Sequence, residues 1–250
     1  MYRTVENGNV MERQNEELRR INAELDRFVY SASHDLRAPL MSVKGLLNMI
    51  KLDPEKKNTD LYLALIEKSV GRLDNFITDI IQYSRNARTD VEEKEVDVAT
   101  LLQDSLEALR FMEGAEHVQS THYIDIRAPF YSDPSRLLMV FNNIISNAVR
   151  YRNSTRQDSF LDVNIHVDSA RARISFTDNG IGIPAEHQEA IFDMFFRVSS
   201  EGQGSGLGLY IVKDAVTRLH GTVNVQSAPG KGTTFTVEIP NQLGRARLQA

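Results

Sequence analysis

Length, composition and charge confine this chain to a few classes of protein. Its 250 residues, 41% hydrophobic and 25% charged, are ordinary for a folded protein of one large or two modest domains. The formal net charge of −5 disfavours nucleic-acid binding, and the absence of cysteine excludes disulfides and thiolate metal sites.

No apolar run approaches the length of a membrane span, since one of the longest covers only residues 137–141. The first residues also lack the apolar core of a signal peptide. We therefore expect a cytoplasmic chain with no membrane segment, either by itself or as the cytoplasmic part of something longer.

The first third of the chain predicts two long amphipathic helices. The first runs from about residue 9 to residue 52, and a polar turn at 53–58 separates it from a second helix at 59–88. The first helix opens with a coiled-coil seam at Leu18, Ile21, Leu25 and Phe28. Two such helices form an antiparallel hairpin, and one hairpin cannot cover its own apolar stripe. We therefore predict a homodimer that closes a four-helix bundle.

Beyond the acidic stretch at 90–95, helical segments alternate with strand-like runs. The helical segments lie near 99–112, 135–152 and 207–219. The strand-like runs lie near 123–126, 161–167, 173–177, 222–226 and 234–239. This alternation predicts that an α/β sandwich follows the helical hairpin.

The predicted hairpin carries an adjacent His34 and Asp35. His34 lies two positions from the stripe residue Ala32, so its imidazole should face solvent. Asp35 can accept a proton or hold one ring nitrogen while the other nitrogen attacks phosphorus. A solvated histidine with no chemical role is the alternative, and the pair alone does not decide between them.

The helix near 135–152 carries a polar face suited to a nucleotide. Asn143 and Asn147 are four residues apart, and their amide oxygens suit Mg²⁺. Arg150 can neutralise phosphate charge, and Tyr151 can pack on a flat base. An ordinary polar face whose asparagines bond locally is the alternative.

Asp178 opens a glycine-punctuated loop after a predicted strand. Its carboxylate can accept a hydrogen bond from an adenine amino group, and Gly180 and Gly182 allow the backbone to approach a ligand closely. An ordinary Asp-Asn-Gly turn is the alternative.

A second glycine segment, with Gly204, Gly206 and Gly208, opens the helix near 207–219. Backbone N–H groups at such a helix start can hold phosphate. Between the two glycine segments, residues 191–197 are expected in the core and residues 198–203 in a nucleotide lid.

In this order the segments resemble the transmitter module of sensor histidine kinases of two-component signalling. The resemblance covers roughly residues 20–240 and includes all five motif boxes of that family. The boxes are residues 34–40, 143–151, 178–184, 191–197 and 204–209. Each is weak alone, but five in the right order argue against chance.

The resemblance implies a histidine-phosphotransfer hairpin joined to a Bergerat-type α/β sandwich that binds ATP. His34 would take the γ-phosphoryl group with Asp35 as the acid or base beside it, and an aspartate of a response-regulator receiver domain would receive the group next. Asn147 would be the principal Mg²⁺ ligand. The nucleotide-binding residues would be Asn143, Asn147, Arg150, Tyr151, Asp178, Gly180, Gly182, Ile183, Arg197, Gly204, Ser205, Gly206, Leu207 and Gly208.

We therefore predict a division of the chain into four parts. These are a coiled-coil signalling helix at 1–27, a dimerisation and phosphotransfer hairpin at 28–90, an ATP-binding domain at 95–242 and a tail at 243–250.

Three features depart from the family pattern. Ala38 stands four residues after His34, where many members with phosphatase activity carry threonine or asparagine to orient a water. Because alanine has no polar side-chain atom, we expect weak dephosphorylation of the partner regulator. Arg150 replaces the more usual lysine, and the lid is short.

Two other classes of protein remain as alternatives. ATP-driven conformational proteins related to gyrase, mismatch-repair proteins and heat-shock chaperones usually place a catalytic glutamate in the helix near 135–152. This helix has no acid between Leu137 and Arg150, which disfavours hydrolysis. The intact His34 and Asp35 disfavour a non-catalytic dimeric scaffold.

Overall fold

The structure is a computed structural model that describes two compact units. The backbone is described for residues 2–53, 57–198 and 204–242. Side chains are described within these ranges from residue 15 onward, apart from those of residues 17, 18, 20, 21 and 24. The first unit ends at Ile77 and the second begins at Thr78.

Several sequence predictions fall outside the described residues. They concern the side chains of the seam residues Leu18 and Ile21, part of the polar turn at 54–56, most of the lid at 199–203 and the tail at 243–250.

Two long helices form the N-terminal hairpin. Helix α1 spans Tyr2–Leu52 and continues through Pro39, and helix α2 spans Thr59–Arg88. The bounds of α2 are those predicted, whereas α1 begins before the predicted start near residue 9. The earlier turns have no apolar period that would signal them, although they contain good helix formers such as Arg3 and Glu6.

Much of the apolar stripe of the hairpin lies on the surface of the single chain. Ala32 and Phe76 are buried. In contrast, five apolar residues of the two helices are 44% to 51% exposed, namely Leu40, Leu47, Leu63, Val70 and Ile77. Such a row of exposed apolar side chains is typical of a helix face that another surface covers.

In the second unit, the described residues form seven strands in two sheets. They are β1 (Lys94–Glu95), β2 (Val118–Ile126), β3 (Tyr131–Ser132), β4 (Ser159–Val167), β5 (Arg171–Asp178), β6 (Thr222–Ala228) and β7 (Gly232–Pro240). Strands β1 and β3 form a small antiparallel sheet. The five other strands form a mixed sheet in the order β2-β4-β5-β7-β6, in which only β2 and β4 are parallel.

In the described part of this unit, three α-helices follow α2, with bounds close to those predicted. They are α3 (Val98–Leu109), α4 (Pro134–Arg150) and α5 (Gly208–Arg218). Asp97 and Asp133 cap α3 and α4 by accepting hydrogen bonds from backbone N–H groups of the first turn. The three helices pack on the apolar face of the large sheet and form one core with it.

Alternation along β4 separates the two faces of the large sheet. Leu161, Val163 and Ile165 are buried, whereas Asp162 and Asn164 between them are partly exposed. Among the described residues, no helix combines the length and the apolar character needed to cross a membrane.

Candidate functional site

His34 lies on the exposed surface of α1. Its side chain is 70% exposed, as the helical spacing predicts, whereas that of Asp35 is 16% exposed. The Nδ1 atom of His34 lies 3.1 Å from Oδ1 of Asp35. Because an ionised carboxylate only accepts hydrogen bonds, this contact favours the proton on Nδ1 and leaves the lone pair on Nε2.

Asn143 and Asn147 follow one another along α4. The amide nitrogen of Asn143 donates to the carbonyl of Met139 at 2.8 Å. Its Oδ1 therefore points to the start of α5, where a Cβ at Gly208 would lie only 2.9 Å away. Asn147 lies one turn further along α4 and is half-buried.

The loop after β5 is bound to the end of α4. The N–H of Ile181 donates to the carbonyl of Tyr151 at 3.0 Å, and a Cβ at Gly180 would lie 2.5 Å from that oxygen. The N–H of Gly180 in turn donates to Oδ1 of Asp178 at 2.8 Å. Burial raises the pKa of Asp178, while hydrogen bonds from the backbone of Gly180 and Thr233 oppose that rise.

Gly182 and Ile183 connect this loop to the turn between β6 and β7. Gly182 has φ +70°, and a Cβ on it would lie 2.0 Å from the carbonyl oxygen of Ala228. The N–H of Ile183 donates to Oγ of Ser227 at 2.8 Å. Only glycine fits at position 182, because both its conformation and its surroundings exclude a side chain.

We expect Gly182→Ala to lower the free energy of unfolding by about 2–4 kcal/mol, because strain and a backbone clash act together. Gly230→Ala is the matched control, since Gly230 also has positive φ but faces open space. That control should lose about 1–2 kcal/mol. Urea denaturation gives the free energy of unfolding of each variant. Equal losses in the two variants would contradict a role for the contact between position 182 and Ala228.

The second glycine segment forms the start of α5. The carbonyl of Gly206 accepts from the N–H of Phe195 at 3.0 Å, and both residues have positive φ. Oγ of Ser205 accepts from the N–H of Leu207 at 3.0 Å. Leu207 is fully buried, so it can contact a ligand only through its backbone. The first N–H groups of an α-helix have no carbonyl partner within the helix, so the first turn of α5 is the kind of site that binds phosphate.

Gly204 lies next to the end of α4. A Cβ at Gly204 would lie 3.1 Å from Nη1 of Arg150 and 3.6 Å from Oη of Tyr151. Arg197 donates to the carbonyl of Gly204 at 3.4 Å. The structure thus brings the polar end of α4 against both glycine segments, which places a guanidinium beside the start of α5.

Sequence reasoning missed two residues that shape this region. Ser227 holds the backbone of Ile183, and Asp79 accepts a hydrogen bond from Ser205 at 2.5 Å. These pairs are 44 and 126 residues apart in the chain, so no local spacing signals them.

Two family models match this chain, one on the helical hairpin and one on the α/β domain. The "His Kinase A (phospho-acceptor) domain" matches residues 24–88. The "Histidine kinase-, DNA gyrase B-, and HSP90-like ATPase" matches residues 132–243.

Two curated relatives are similar over most of the chain. Cyanobacterial phytochrome B of Nostoc sp. is 31% identical over 232 residues, which are 88% of this chain and 30% of the relative. Sensor histidine kinase GacS of Pseudomonas protegens is 31% identical over 224 residues, which are 85% of this chain and 24% of the relative. The chain therefore spans less than a third of either protein.

Two solved structures share the fold. Acinetobacter baumannii histidine kinase AdeS matches 83% of this chain and 98% of its own at a TM-score of 0.65 and 23% identity. Histidine kinase ThkA, solved in complex with response regulator protein TrrA, matches 89% of this chain and 64% of its own at a TM-score of 0.69 and 21% identity. The family models, which cover most of the chain between them, and the two curated relatives show that the chain belongs to the histidine kinase family, as a transmitter module with a phospho-acceptor hairpin and an ATP-binding α/β domain.

Proposed function

We propose that this chain is an ATP-dependent kinase that phosphorylates itself on His34 and passes the phosphoryl group to an aspartate of a response-regulator receiver domain. The observation that carries the proposal is the contact between His34 and Asp35. It leaves an exposed Nε2 on a helix that matches the phospho-acceptor family.

In the proposed step, Nε2 of His34 attacks the γ-phosphorus of ATP. The bond between that phosphorus and the bridging oxygen breaks, and ADP leaves with the electron pair. The imidazole gains positive charge as the new N–P bond forms. Asp35 stabilises that charge through Nδ1 and can accept its proton.

We assign the nucleotide to the region around the end of α4. Asp178 would bind the adenine amino group, and Arg150 with the backbone N–H groups at the start of α5 would bind phosphates. The glycines fit this role, because a Cβ at Gly180 or Gly208 would lie within 3 Å of neighbouring oxygen atoms. Arg197 would line the same region through its contact with Gly204.

We assign Mg²⁺ to Asn147, with Asn143 beside it. Amide oxygens, supplemented by water and phosphate oxygens, are a donor set that this ion accepts. When bound, the ion would neutralise negative charge on the phosphates. The amide nitrogen of Asn143 donates a hydrogen bond to the carbonyl of Met139, and this bond would hold Oδ1 of Asn143 toward α5.

We further propose that two copies of the chain pair through the hairpin. The exposed stripe residues of α1 and α2 offer the apolar surface that a four-helix bundle would bury. A receiver domain is the proposed second partner, since the neighbour ThkA was solved with a response regulator. The module would work in the cytoplasm, where ATP is supplied, by itself or within a larger sensor.

Within such a protein we propose four parts for this chain. They are a signalling helix at 1–27, a phosphotransfer hairpin at 28–90, an ATP-binding domain at 95–242 and a tail at 243–250.

Incubation with γ-labelled ATP and Mg²⁺ tests the proposed reaction. We expect label on the protein that is lost in acid and stable in base, because a phosphoramidate hydrolyses in acid and a phosphoserine does not. Released phosphate without labelled protein would instead indicate an ATPase. Bound ATP without either product would indicate a scaffold.

Ala38 should make this protein a weak phosphatase of its partner. We expect Ala38→Thr to speed the decay of a receiver domain that the protein has labelled, by roughly tenfold or more, because the new hydroxyl can orient a water. Ala23→Thr, an exposed position on the same helix, is the control and should change nothing. Rapid decay with the parent protein would contradict this prediction.

A further inference from the structure

Asp79 lies in the last third of α2, and its side chain contacts the segment that precedes α5. Its Oδ2 accepts a hydrogen bond of 2.5 Å from Oγ of Ser205, and the same Oγ accepts from the N–H of Leu207. One hydroxyl group therefore separates this carboxylate from the backbone N–H of Leu207, at the start of α5. Burial raises the pKa of Asp79, while the bond from Ser205 and the positive charge of Arg150 oppose that rise.

Two further contacts hold this part of α2 along α5. The rings of Tyr83 and Tyr210 lie 5.7 Å apart between centroids. The buried Asn86 donates to Oδ2 of Asp214 at 2.7 Å. Positions 79, 83 and 86 share one helix face, so the three contacts together fix the carboxylate of Asp79 in place.

The carbonyl end of α2 is held by the buried side chain of Arg136. Its guanidinium donates to the carbonyls of Asn86, Thr89 and Asp90 at 3.2, 2.6 and 3.2 Å. It also pairs with Asp133 at the start of α4. A cation at this position satisfies carbonyls that the helix leaves without partners.

From this geometry we propose that Asp79 competes with the phosphates of ATP for the start of α5. The inference rests on the proposed function, because it concerns the phosphate end of the same pocket. The carboxylate of Asp79 uses the hydroxyl of Ser205 and the charge of Arg150, which an incoming phosphate would also use. Phosphate and carboxylate are both anions, so they repel one another at this site.

The competition would couple the nucleotide to α2. If docking of Asp79 weakens ATP binding, then ATP binding weakens docking of Asp79 by the same factor. Bound ATP would therefore loosen the last turns of α2 from the ATP-binding domain. Without nucleotide, the last turns of α2 would stay docked along α5. Bound ATP would displace the carboxylate of Asp79 from the start of α5.

Asp79→Asn tests this proposal, because it removes the charge and keeps the shape of the side chain. We expect the Kd of a non-hydrolysable ATP analogue to fall by about fivefold or more. The Kd of adenosine, which has no phosphate, should stay unchanged. Asp74→Asn makes the same charge change at an exposed position of α2 and should leave both constants unchanged.

A second variant, Asn86→Ala, loosens the docked segment at a distance from the pocket. It should also tighten binding of the ATP analogue, by a smaller factor, and it tests the proposal independently if Asp79→Asn fails to fold. Unchanged affinity for the analogue in the folded variants, or an equal gain for adenosine, would overturn the proposal while leaving the kinase assignment intact. A parent protein that binds no ATP would overturn both.

Discussion

His34→Ala is expected to lower acid-labile labelling from γ-labelled ATP by at least about a hundredfold, because it removes the attacking nitrogen. ATP binding should remain, since the nucleotide residues are assigned to the second unit of the chain. Labelling and equilibrium binding of an ATP analogue measure the two properties separately.

His117→Ala is a matched control for this variant. His117 is also exposed and also lies beside an acid, with Nε2 3.4 Å from Oε1 of Glu116. It lies in the second unit and outside the phospho-acceptor family match, so labelling should stay at the parent level. Label that survives in His34→Ala, or that disappears in His117→Ala, would contradict the assignment.

Arg136→Met is expected to lower the free energy of unfolding by about 3–5 kcal/mol, the cost of breaking a buried ion pair. The substitution leaves the buried Asp133 without its cation, and it removes donors from the carbonyls of Asn86, Thr89 and Asp90. Urea denaturation followed by circular dichroism gives the free energy.

Arg156→Met is the control for that measurement. Arg156 pairs with Asp158 on the surface, where both side chains are well exposed, so its loss should cost less than about 1 kcal/mol. A similarly small loss for Arg136→Met would mean that its buried contacts do not stabilise the docked end of α2.

Periodic patterns made most elements of the fold predictable. The polar turn at 53–58 separated the two amphipathic helices, and the strand-like run at 161–167 identified most of β4. The half of β2 before Tyr123 was not predicted, because its residues are mainly polar and exposed and are held by backbone pairing with β4. Strands β1 and β3 contain two residues each, which is too short for any period.

Part of the candidate site could also be predicted, because its residues cluster in short motifs. Spacing along one helix placed Asn143 and Asn147 on a shared face, and the glycine segments marked the turns. The contact of Asp79 with Ser205 could not be predicted, since it joins two segments 126 residues apart. Such contacts depend on how elements pack, and packing leaves no local pattern in the chain.

The most direct test of the proposed reaction is to locate the phosphoryl group on the protein itself. The parent protein would be incubated with ATP and Mg²⁺, digested at neutral to basic pH and analysed by fragmentation mass spectrometry. We expect a single phosphorylated histidine, at His34. A phosphoryl group on another residue, or none on a protein that binds ATP, would contradict it.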